Sequence, residues 1–394
     1  MKIFSKISVY FVLIILVLVL IQHSICPVYD YPPESKFTGN KLYNPYTDIA
    51  GKKRIKANFH AHTRVWGGLT NGKKNIKEDL VRRYKLLNYD IAGISDYQSI
   101  NPYQQNDPLY IPTYEHGYGL TKNHQLSIGT NSVLWNDYLF YQTINNKQYI
   151  LKELKSRSQI LTITHPLLRD AYSENDFKRL TDYDYIEILN NGYGKSLNLW
   201  DAALSSGHAV FGMGDDDSHS SENPNDMGCC FNIIFTDSMT SSSVIRALKA
   251  GSTIAAEQHG ETMLIKRQKA IDMPSLMDFS IDSGIIRIKF DKPYKQLNFI
   301  GQDGMMKDSK FDSDSGSYTF KPEDTYIREE AEFNDSTKLY FNPVFRYTGE
   351  IKHESAEINR NKTWMLRIIS GLIFIVIIFL FSLIKNRKRV NAKV

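Results

Sequence analysis

Two uninterrupted apolar runs lie near the ends of the chain. The first, residues 7–21, carries no charge and, with its flank to Ile25, reaches the roughly 20 residues that a helix needs to cross a bilayer. The second, residues 368–384, follows Trp364 and Arg367 and precedes the basic sequence KNRKR. An interfacial aromatic and a positive stop are typical of a membrane span. We therefore expect transmembrane helices within residues 1–26 and 364–384 rather than buried core helices.

The charges that flank these runs predict a topology. Lys2 and Lys6 precede the first run, and the basic tail 385–394 follows the second. The positive-inside rule then places both ends in the cytoplasm and residues 27–363 outside it. An uncleaved anchor is favoured over a cleaved signal, because bulky or polar residues occupy most positions before Cys26. Lipid attachment at Cys26 stays the weaker alternative, since Ile25 is not small.

Polar and apolar residues between the runs suggest three segments. Residues 27–50 contain four prolines and no periodicity, which predicts a stalk. Residues 51–260 alternate short apolar strands with helical patterns, which is typical of a parallel α/β barrel or sheet. The predicted strands are residues 55–60, 89–95, 158–165, 183–190 and 208–214, and the predicted helices are residues 77–87, 199–207 and 241–251.

The pattern changes near residue 261. From there to residue 350 the chain reads as short strands without helices, which predicts a small β-sandwich. The predicted strands are residues 276–281, 285–290, 297–302, 316–320, 325–333 and 338–347.

Composition narrows the function classes. A chain of 394 residues has room for two globular units, and 42% hydrophobic with 23% charged residues excludes disorder. The net charge is +5, but the last ten residues alone contain five basic residues and no acid. No basic field for nucleic acid is left in the rest of the chain. The 3 cysteines form no CxxC pair, so a thiolate zinc site is excluded.

Histidines and carboxylates follow the predicted strands of residues 51–260. Active sites of parallel sheets and barrels collect at the carboxyl ends of the strands. His60 and His62 are two residues apart, so in a strand both imidazoles project to one face. The candidate ligands are His60, His62, Asp96, Glu115, His124, His165, Asp217 and His219. The ordered set predicts a metal site.

The order of these motifs resembles a known superfamily. HAH, ISD, a Glu with a downstream His, THP and DSH follow one another as in the PHP (polymerase and histidinol phosphatase) superfamily. The WDxxLxxGH segment before DSH, the SxxVIxALKAG segment after it, and the sequences YIREEAEF and NPVFRY resemble the CehA/McbA branch of PHP-like metal-dependent hydrolases. The resemblance covers residues 55–347 and implies an α/β fold, a distorted (β/α)7 barrel followed by the small β-sandwich.

The resemblance also implies a ligand set. His60, His62, Glu115 and Asp217 would hold one ion, with Glu115 bridging to a second ion held by His124 and His165. Imidazoles with a few carboxylates suit Mn, Zn or Fe. Two such ions would activate a bridging hydroxide near neutral pH. Catalytic roles are expected for Glu115, Asp217 and His219, and a purely structural metal cage is the alternative.

Two departures from the superfamily pattern lead us to expect two divalent ions rather than three. Tyr97 stands where members with a third metal have a histidine, and a further ligand expected soon after His62 is missing. His219 could therefore hold a weakly bound ion or donate a proton to the leaving group. Asp96 could be a ligand or an acceptor that orients a ligating imidazole.

The predicted function is hydrolysis of a small-molecule phosphoester by a membrane-anchored enzyme that binds no nucleic acid. A carboxylic or carbamate ester is the alternative substrate, and an inactive metal-binding receptor or scaffold is the alternative class. An anionic substrate would be bound by polar residues just beyond the motif strands. These candidates are Arg64, Tyr97, Arg169, Asn190, Asn191 and Lys195.

Overall fold

A computed structural model describes the backbone of residues 2–351 and 353–390. The side chains of residues 2–10, 12, 13, 380, 381 and 383–390 lie outside this description. The α-helices of the described chain are Lys2–Ile25 (α1), Lys77–Leu86 (α2), Ile144–Lys155 (α3), Glu174–Phe177 (α4), Leu197–Ser205 (α5), Ser241–Lys249 (α6), Met263–Ile271 (α7) and Arg360–Val390 (α8).

The strands fall between the two terminal helices. They are Tyr29–Asp30 (β1), Lys41–Tyr43 (β2), Lys53–Asn58 (β3), Ile91–Ala92 (β4), Thr113–His116 (β5), Gln125–Ile128 (β6), Ile160–Ile163 (β7), Tyr185–Asn190 (β8), Gly194–Lys195 (β9), Phe211–Asp215 (β10), Cys230–Thr236 (β11), Thr253–Glu257 (β12), Leu276–Asp282 (β13), Ile285–Gly301 (β14), Met305–Thr319 (β15), Tyr326–Phe333 (β16), Lys338–Phe341 (β17), Val344–Tyr347 (β18) and Glu357–Ile358 (β19).

Seven strands are connected in a ring. One sheet has the order β10-β8-β7-β6-β5, and β3 pairs with β4 in the other. Two isolated parallel bridges join these groups: Tyr97 pairs with Glu115 of β5, and Ala61 pairs with Ser218 just after β10. The ring therefore runs through β3, β4, β5, β6, β7, β8 and β10.

The ring is only partly parallel, which corrects the expectation of a parallel sheet. β7, β8 and β10 run parallel, but β6 runs antiparallel to both β5 and β7. The connection of residues 117–124 between β5 and β6 is too short for the crossover that a parallel pair requires. Two strands that follow each other so closely pair as an antiparallel hairpin.

Helices cover the outside of the ring because they present apolar faces. In α3, Ile150, Leu151 and Leu154 are fully buried at helical spacing. Trp200 of α5 is fully buried, and its Nε1 donates to the carbonyl of Val210 at 3.2 Å. Every residue of β7 and β8 is buried, as expected for strands with both faces covered.

The strands after residue 261 do not form a separate sandwich, which corrects that prediction. They extend the sheet that contains β3, in the order β13-β14-β16-β17-β12-β11-β3-β4. β17 lies antiparallel to β12, with Ala255 opposite Tyr340. α7 also lies where no helix was expected, and the Thr262 side chain caps it by accepting from the amide of Ile265 at 3.3 Å. Alternation of polar and apolar residues identifies a strand but not its partner.

Residues 27–50 pack on the fold, so they are not a stalk. β1 pairs with β19, and β2 pairs with β18. Tyr46 is fully buried, and its hydroxyl donates to the carbonyl of Thr253 at 3.0 Å. The prolines of this segment suggested an unpacked stalk, but its buried aromatic residues pack it onto the fold.

One helical segment among the described residues, Arg360–Phe379 of α8, is long and apolar enough to cross a membrane. In α1 the apolar part with described side chains is the shorter segment Ile14–Ile25. The predicted flanking charges of Lys2, Lys6 and the tail 385–394 lie outside the described side chains, so their positions stay a prediction.

Candidate metal centre

The two histidines of the HAH motif point into the ring. They follow β3 directly, and the His62 amide donates to the carbonyl of Ser218 at 2.9 Å, which fixes this segment against the end of β10. His62 Nε2 lies 3.1 Å from Asp217 Oδ1 and 3.1 Å from Glu115 Oε2. His60 Nε2 lies 3.2 Å from Asp217 Oδ1 and 3.5 Å from Glu115 Oε2. All four side chains are buried.

Glu115 joins this cluster to a second one. While its Oε2 faces His60 and His62, its Oε1 lies 2.7 Å from His124 Nδ1 and 2.9 Å from His165 Nε2. Glu115 belongs to β5 and His124 comes just before β6, so the antiparallel hairpin brings them together. His165 follows β7.

Four overlapping groups of side chains could each hold a metal ion. Their ligand atoms lie within 4.8 Å of one another. The groups are His60, His165 and Asp217; His60, His62 and Glu115; Glu115, His124 and His165; and His62, Asp217 and His219. The sequence-predicted ligands other than Asp96 are therefore in one place.

Unsatisfied buried atoms fit a metal. In a folded protein almost all buried polar groups have a hydrogen-bond partner, so those that do not require an explanation. Here the buried atoms without a partner include His60 Nε2 and Glu115 Oε2, which both face the cluster. Five imidazoles and two carboxylates around one point form the donor set that Zn, Mn or Fe prefers.

The carboxylates control the charge of the histidines. Burial by itself lowers the pKa of His60, but Asp217, Glu187 and Glu115 outweigh burial and raise it well above its usual value. Burial opposes the charged form of His62 as well, yet Asp217 and Glu115 raise its pKa to about 9. Despite its burial, Glu115 has a pKa well below its usual value because His124 and His60 lie close. The cluster therefore holds protons where a metal would bind.

His219 differs from His60 and His62 in the direction of its pKa shift. Its Nε2 lies 3.3 Å from Asp217 Oδ1, but burial lowers its pKa to about 4. The lowered pKa favours the neutral imidazole that a metal ligand requires, and proton donation by His219 to the leaving group stays a prediction. The His62 ring is stacked on both the Tyr97 ring, with centroids 4.1 Å apart, and the His219 ring, with centroids 4.7 Å apart. Burial raises the pKa of Tyr97, so its phenol stays protonated and is a poor ligand.

The backbone is strained at two of the ligands. His165 has a φ of 26° and Asp217 a φ of 51°, in a region that residues with a side chain rarely adopt. Such conformations cost free energy and concentrate at functional sites. Here they turn both side chains toward Glu115 and His60.

Glu187 is a functional residue that the sequence analysis missed. Its Oε1 lies 2.9 Å from His60 Nδ1, and its Oε2 accepts from the amide of His165 at 2.6 Å and from Asn190 Nδ2 at 2.9 Å. A carboxylate on the far nitrogen of a ligating histidine fixes the orientation of the ring and increases its basicity. The available signal was a glutamate between the apolar residues Ile186 and Ile188 in strand β8.

Asp96 has neither of its predicted roles among the described contacts. Its Oδ1 accepts from the Thr63 amide at 2.6 Å, and its Oδ2 accepts from Asn101 Nδ2 at 2.9 Å. The Thr63 hydroxyl also lies within 3 Å of both oxygens. Asp96 therefore fixes the residue after His62 and is not a member of the ligand groups.

Three of the six predicted substrate-binding residues are engaged elsewhere. Arg169 Nη1 donates to the carbonyl of Leu120 at 2.8 Å, and Asn191 donates to the carbonyl of Asn225. Lys195 forms an ion pair with Glu257. Arg64 is exposed. Of the six candidates, Tyr97 is in direct contact with a ligand of the centre and Asn190 bonds to Glu187.

Comparisons with known proteins add a distant likeness. No family model and no curated protein matches the chain. A crystal structure of a two-domain protein from Bacteroides vulgatus, described as containing a predicted PHP-like metal-dependent phosphoesterase, is similar at 13% identity and a TM-score of 0.37. The match covers 80% of this chain and 100% of that one. Its description names the PHP superfamily and not the CehA/McbA branch.

Proposed function

We propose that this protein is a membrane-anchored, metal-dependent hydrolase of the PHP type that cleaves phosphoesters outside the cytoplasm. The observation that carries the proposal is the buried convergence of five histidines with Glu115 and Asp217. Buried charges are costly unless they are paired or bind a metal. A dense cluster of imidazoles and carboxylates at the ends of strands in a ring is suited to binding cations.

Glu115 divides the centre into two halves. One oxygen faces His60 and His62, and the other faces His124 and His165. Bound divalent ions, Mn, Zn or Fe, would stabilise developing negative charge and lower the pKa of a water between them. Glu187 keeps His60 Nε2 directed at the centre by holding Nδ1. The ring of seven strands agrees with the distorted (β/α)7 barrel that the resemblance implies.

The choice of a phosphoester over a carboxylic or carbamate ester rests on the PHP resemblance. A phosphoester carries negative charge, and the loop after His62 is basic: residues 63–77 contain Arg64, Lys73, Lys74 and Lys77 and no acid. Such a loop attracts an anionic substrate to the entrance of the site.

Metal analysis of the full chain in detergent tests the proposal. We expect close to two transition-metal ions per chain after loading with Mn or Zn. The double variant His60→Ala with His62→Ala should lose at least one ion and all hydrolysis, because these histidines would hold an ion that supplies the acidity needed to activate water. His259→Ala is the matched control, since His259 pairs with Glu257 away from the ligand groups.

A substrate panel completes the test. The panel contains a phosphomonoester, a phosphodiester and a carboxylic ester. We expect the enzyme to hydrolyse the phosphoesters. Turnover with carboxylic esters alone would support the alternative substrate class, carboxylic or carbamate esters. A chain that binds no metal under any loading condition would refute the proposal.

A further inference from the structure

Large apolar side chains are exposed on three loops around the metal centre. Leu69 is 91% exposed, Tyr141 70% and Trp135 59%. Soluble proteins rarely expose contiguous apolar patches of this kind without a partner. We call this set the apolar rim, and it consists of Trp66, Leu69, Tyr118, Leu120, Trp135, Leu139, Phe140 and Tyr141.

The first two loops of the rim border the centre directly. Trp66 Nε1 donates to the carbonyl of Tyr97 at 2.7 Å, and the Tyr97 ring is stacked on His62. Gly72 packs so closely on the centre that a Cβ there would lie 2.6 Å from His62 Cβ. Gly117, at a φ of 128°, packs against the His124 ring in the same way.

Contacts between the loops make the rim continuous. The rings of Trp66 and Trp135 meet edge to face, with centroids 5.7 Å apart. The Tyr118 hydroxyl donates to the carbonyl of Trp135 at 3.2 Å. The Leu120 amide donates to the carbonyl of Leu139 at 2.8 Å.

The rim also adjoins the end of α1. Gln22 Nε2 donates to the carbonyl of Asp137, and the His23 ring lies 5.2 Å from the ring of Tyr138. Asp137 and Tyr138 are flanked in sequence by Trp135 and Leu139 of the rim. A span that ends at Ile25 therefore places these loops at the level where the lipid headgroups begin.

The composition of the loops suits that level. Trp and Tyr concentrate at membrane interfaces because their rings are apolar with one polar end. Basic residues near the surface are attracted to anionic lipids. Both features occur in residues 63–77, which carry Trp66 and Leu69 together with four basic residues and no acid.

We propose that the apolar rim lies on the bilayer and that the substrate is a membrane amphiphile with a phosphoester headgroup. The inference rests on the proposed function and names its substrate class. The headgroup reaches the metal centre while the acyl chains stay in the lipid. Hydrolysis consumes one water: its oxygen bonds to phosphorus, the bond from phosphorus to the leaving oxygen breaks, and that oxygen gains a proton. A phosphodiester lipid thus yields a phosphomonoester and an alcohol.

Tryptophan quenching tests the docking without any need for metal or turnover. The chain has 4 tryptophans, of which Trp200 is fully buried and Trp364 lies in α8. The variant Trp364→Phe is reconstituted in vesicles of phosphatidylcholine and phosphatidylglycerol with brominated or plain acyl chains. Brominated lipid should reduce its fluorescence, and adding Trp66→Phe and Trp135→Phe should remove the reduction. Equal quenching in the triple variant would overturn the docking.

Activity then tests the substrate class. In vesicles, the ratio of lipid phosphodiester hydrolysis to hydrolysis of a water-soluble phosphodiester should fall about tenfold or more in Leu69→Ser with Tyr141→Ser, because two apolar anchors are lost. The matched control is Met277→Ser with Phe311→Ser, two exposed apolar residues of β13 and β15, which should keep the ratio. An unchanged ratio in the rim variant would contradict the lipid substrate. Absence of metal and of all turnover, with quenching intact, would refute the proposed function and leave the docking standing.

Discussion

A single carboxylate, Glu187, contacts candidate metal ligands on the side that faces away from the ligand cluster. Glu187 contacts the far nitrogen of His60 and the amide of His165, so it supports a ligand in each half of the cluster. Its own side chain is fully buried. Its role is therefore to position the ligands rather than to react.

Glu187→Gln should weaken metal binding without emptying the site. The amide keeps the size of the side chain but loses the charge that holds the His60 ring, and such changes typically cost 10–100-fold in metal affinity, or roughly 1.4–2.7 kcal/mol. Competition with a chelator measures the affinity. Glu153→Gln, at a half-buried carboxylate of α3 that pairs with Arg157 away from the ligand groups, is the control. Equal metal affinities in the two variants would contradict a role of Glu187 in orienting the metal ligands.

Metal loading should release protons between pH 6.5 and 9. In the metal-free chain Asp217 and Glu115 raise the pKa of His62 to about 9, so most His62 side chains carry a proton until the pH approaches 9. A metal binds only the neutral imidazole. Apparent affinity should thus rise with pH and level off above about 9, and the heat of binding should depend on the ionisation heat of the buffer. In the opposite sense, this proton stabilises the metal-free fold below pH 6.5, and that contribution is lost as pH rises through 9.

Sequence reasoning was most successful in identifying individual candidate ligands. Chemistry-bearing residues at strand ends are visible in a sequence, and seven of the eight predicted ligands meet in the structure. Asp96 was misjudged because a carboxylate after a strand looks the same whether it binds a metal or a threonine amide. Glu187 was missed because its partner, His60, is 127 residues away.

At the scale of elements, local pattern predicted strands better than it predicted their partners. β16 and β17 are where apolar alternation placed them, but the sheet they join contains β3 and β12. The pairing of β12 with β17 spans more than 80 residues of chain, and nothing in either strand specifies it. Packing of β17 against β12 joins the two predicted domains into one sheet.

Phe341→Ala should destabilise the whole protein. Phe341 is fully buried at the end of β17, with ring centroids 5.6 Å from Tyr46 and 6.0 Å from Phe279. Loss of a buried phenylalanine costs about 3–5 kcal/mol of unfolding free energy. Denaturant unfolding of the full chain in detergent measures it, with the exposed Phe311→Ala as a control that should change little.

Two signals decide whether the sheet unfolds as one unit. No tryptophan lies in residues 263–350, so tryptophan fluorescence reports on the rest of the chain. Circular dichroism reports on all strands. Both midpoints should shift together in Phe341→Ala. A shift of the unfolding midpoint measured by circular dichroism alone would indicate that residues 263–350 unfold as a separate domain.

At the scale of the whole molecule, the two terminal helices are held together at the surface of the folded unit. β1, just after α1, pairs with β19, just before α8. The Val28 amide donates to the Thr363 hydroxyl at 3.0 Å, and Arg367 donates to the carbonyl of Ile25. Hydropathy predicted the helices, but no local pattern predicted this clamp, because it joins the two ends of the chain. With it, both helices leave the folded unit at one place.

This arrangement predicts that both chain ends lie on the side of the membrane opposite to the metal centre. The cysteines at positions 26, 229 and 230 are all buried, so they give a low background for thiol labelling. In intact cells a membrane-impermeant maleimide should label Ser317→Cys, which is exposed on β15, and should not label Ala392→Cys in the basic tail. Permeabilised cells should label both, which controls for reactivity. Labelling of position 392 but not 317 in intact cells would show the opposite topology. It would contradict the extracytoplasmic location of the centre. Because the clamp ties α1 and α8 to one face, labelling of both positions would mean that the terminal helix does not cross the bilayer at all.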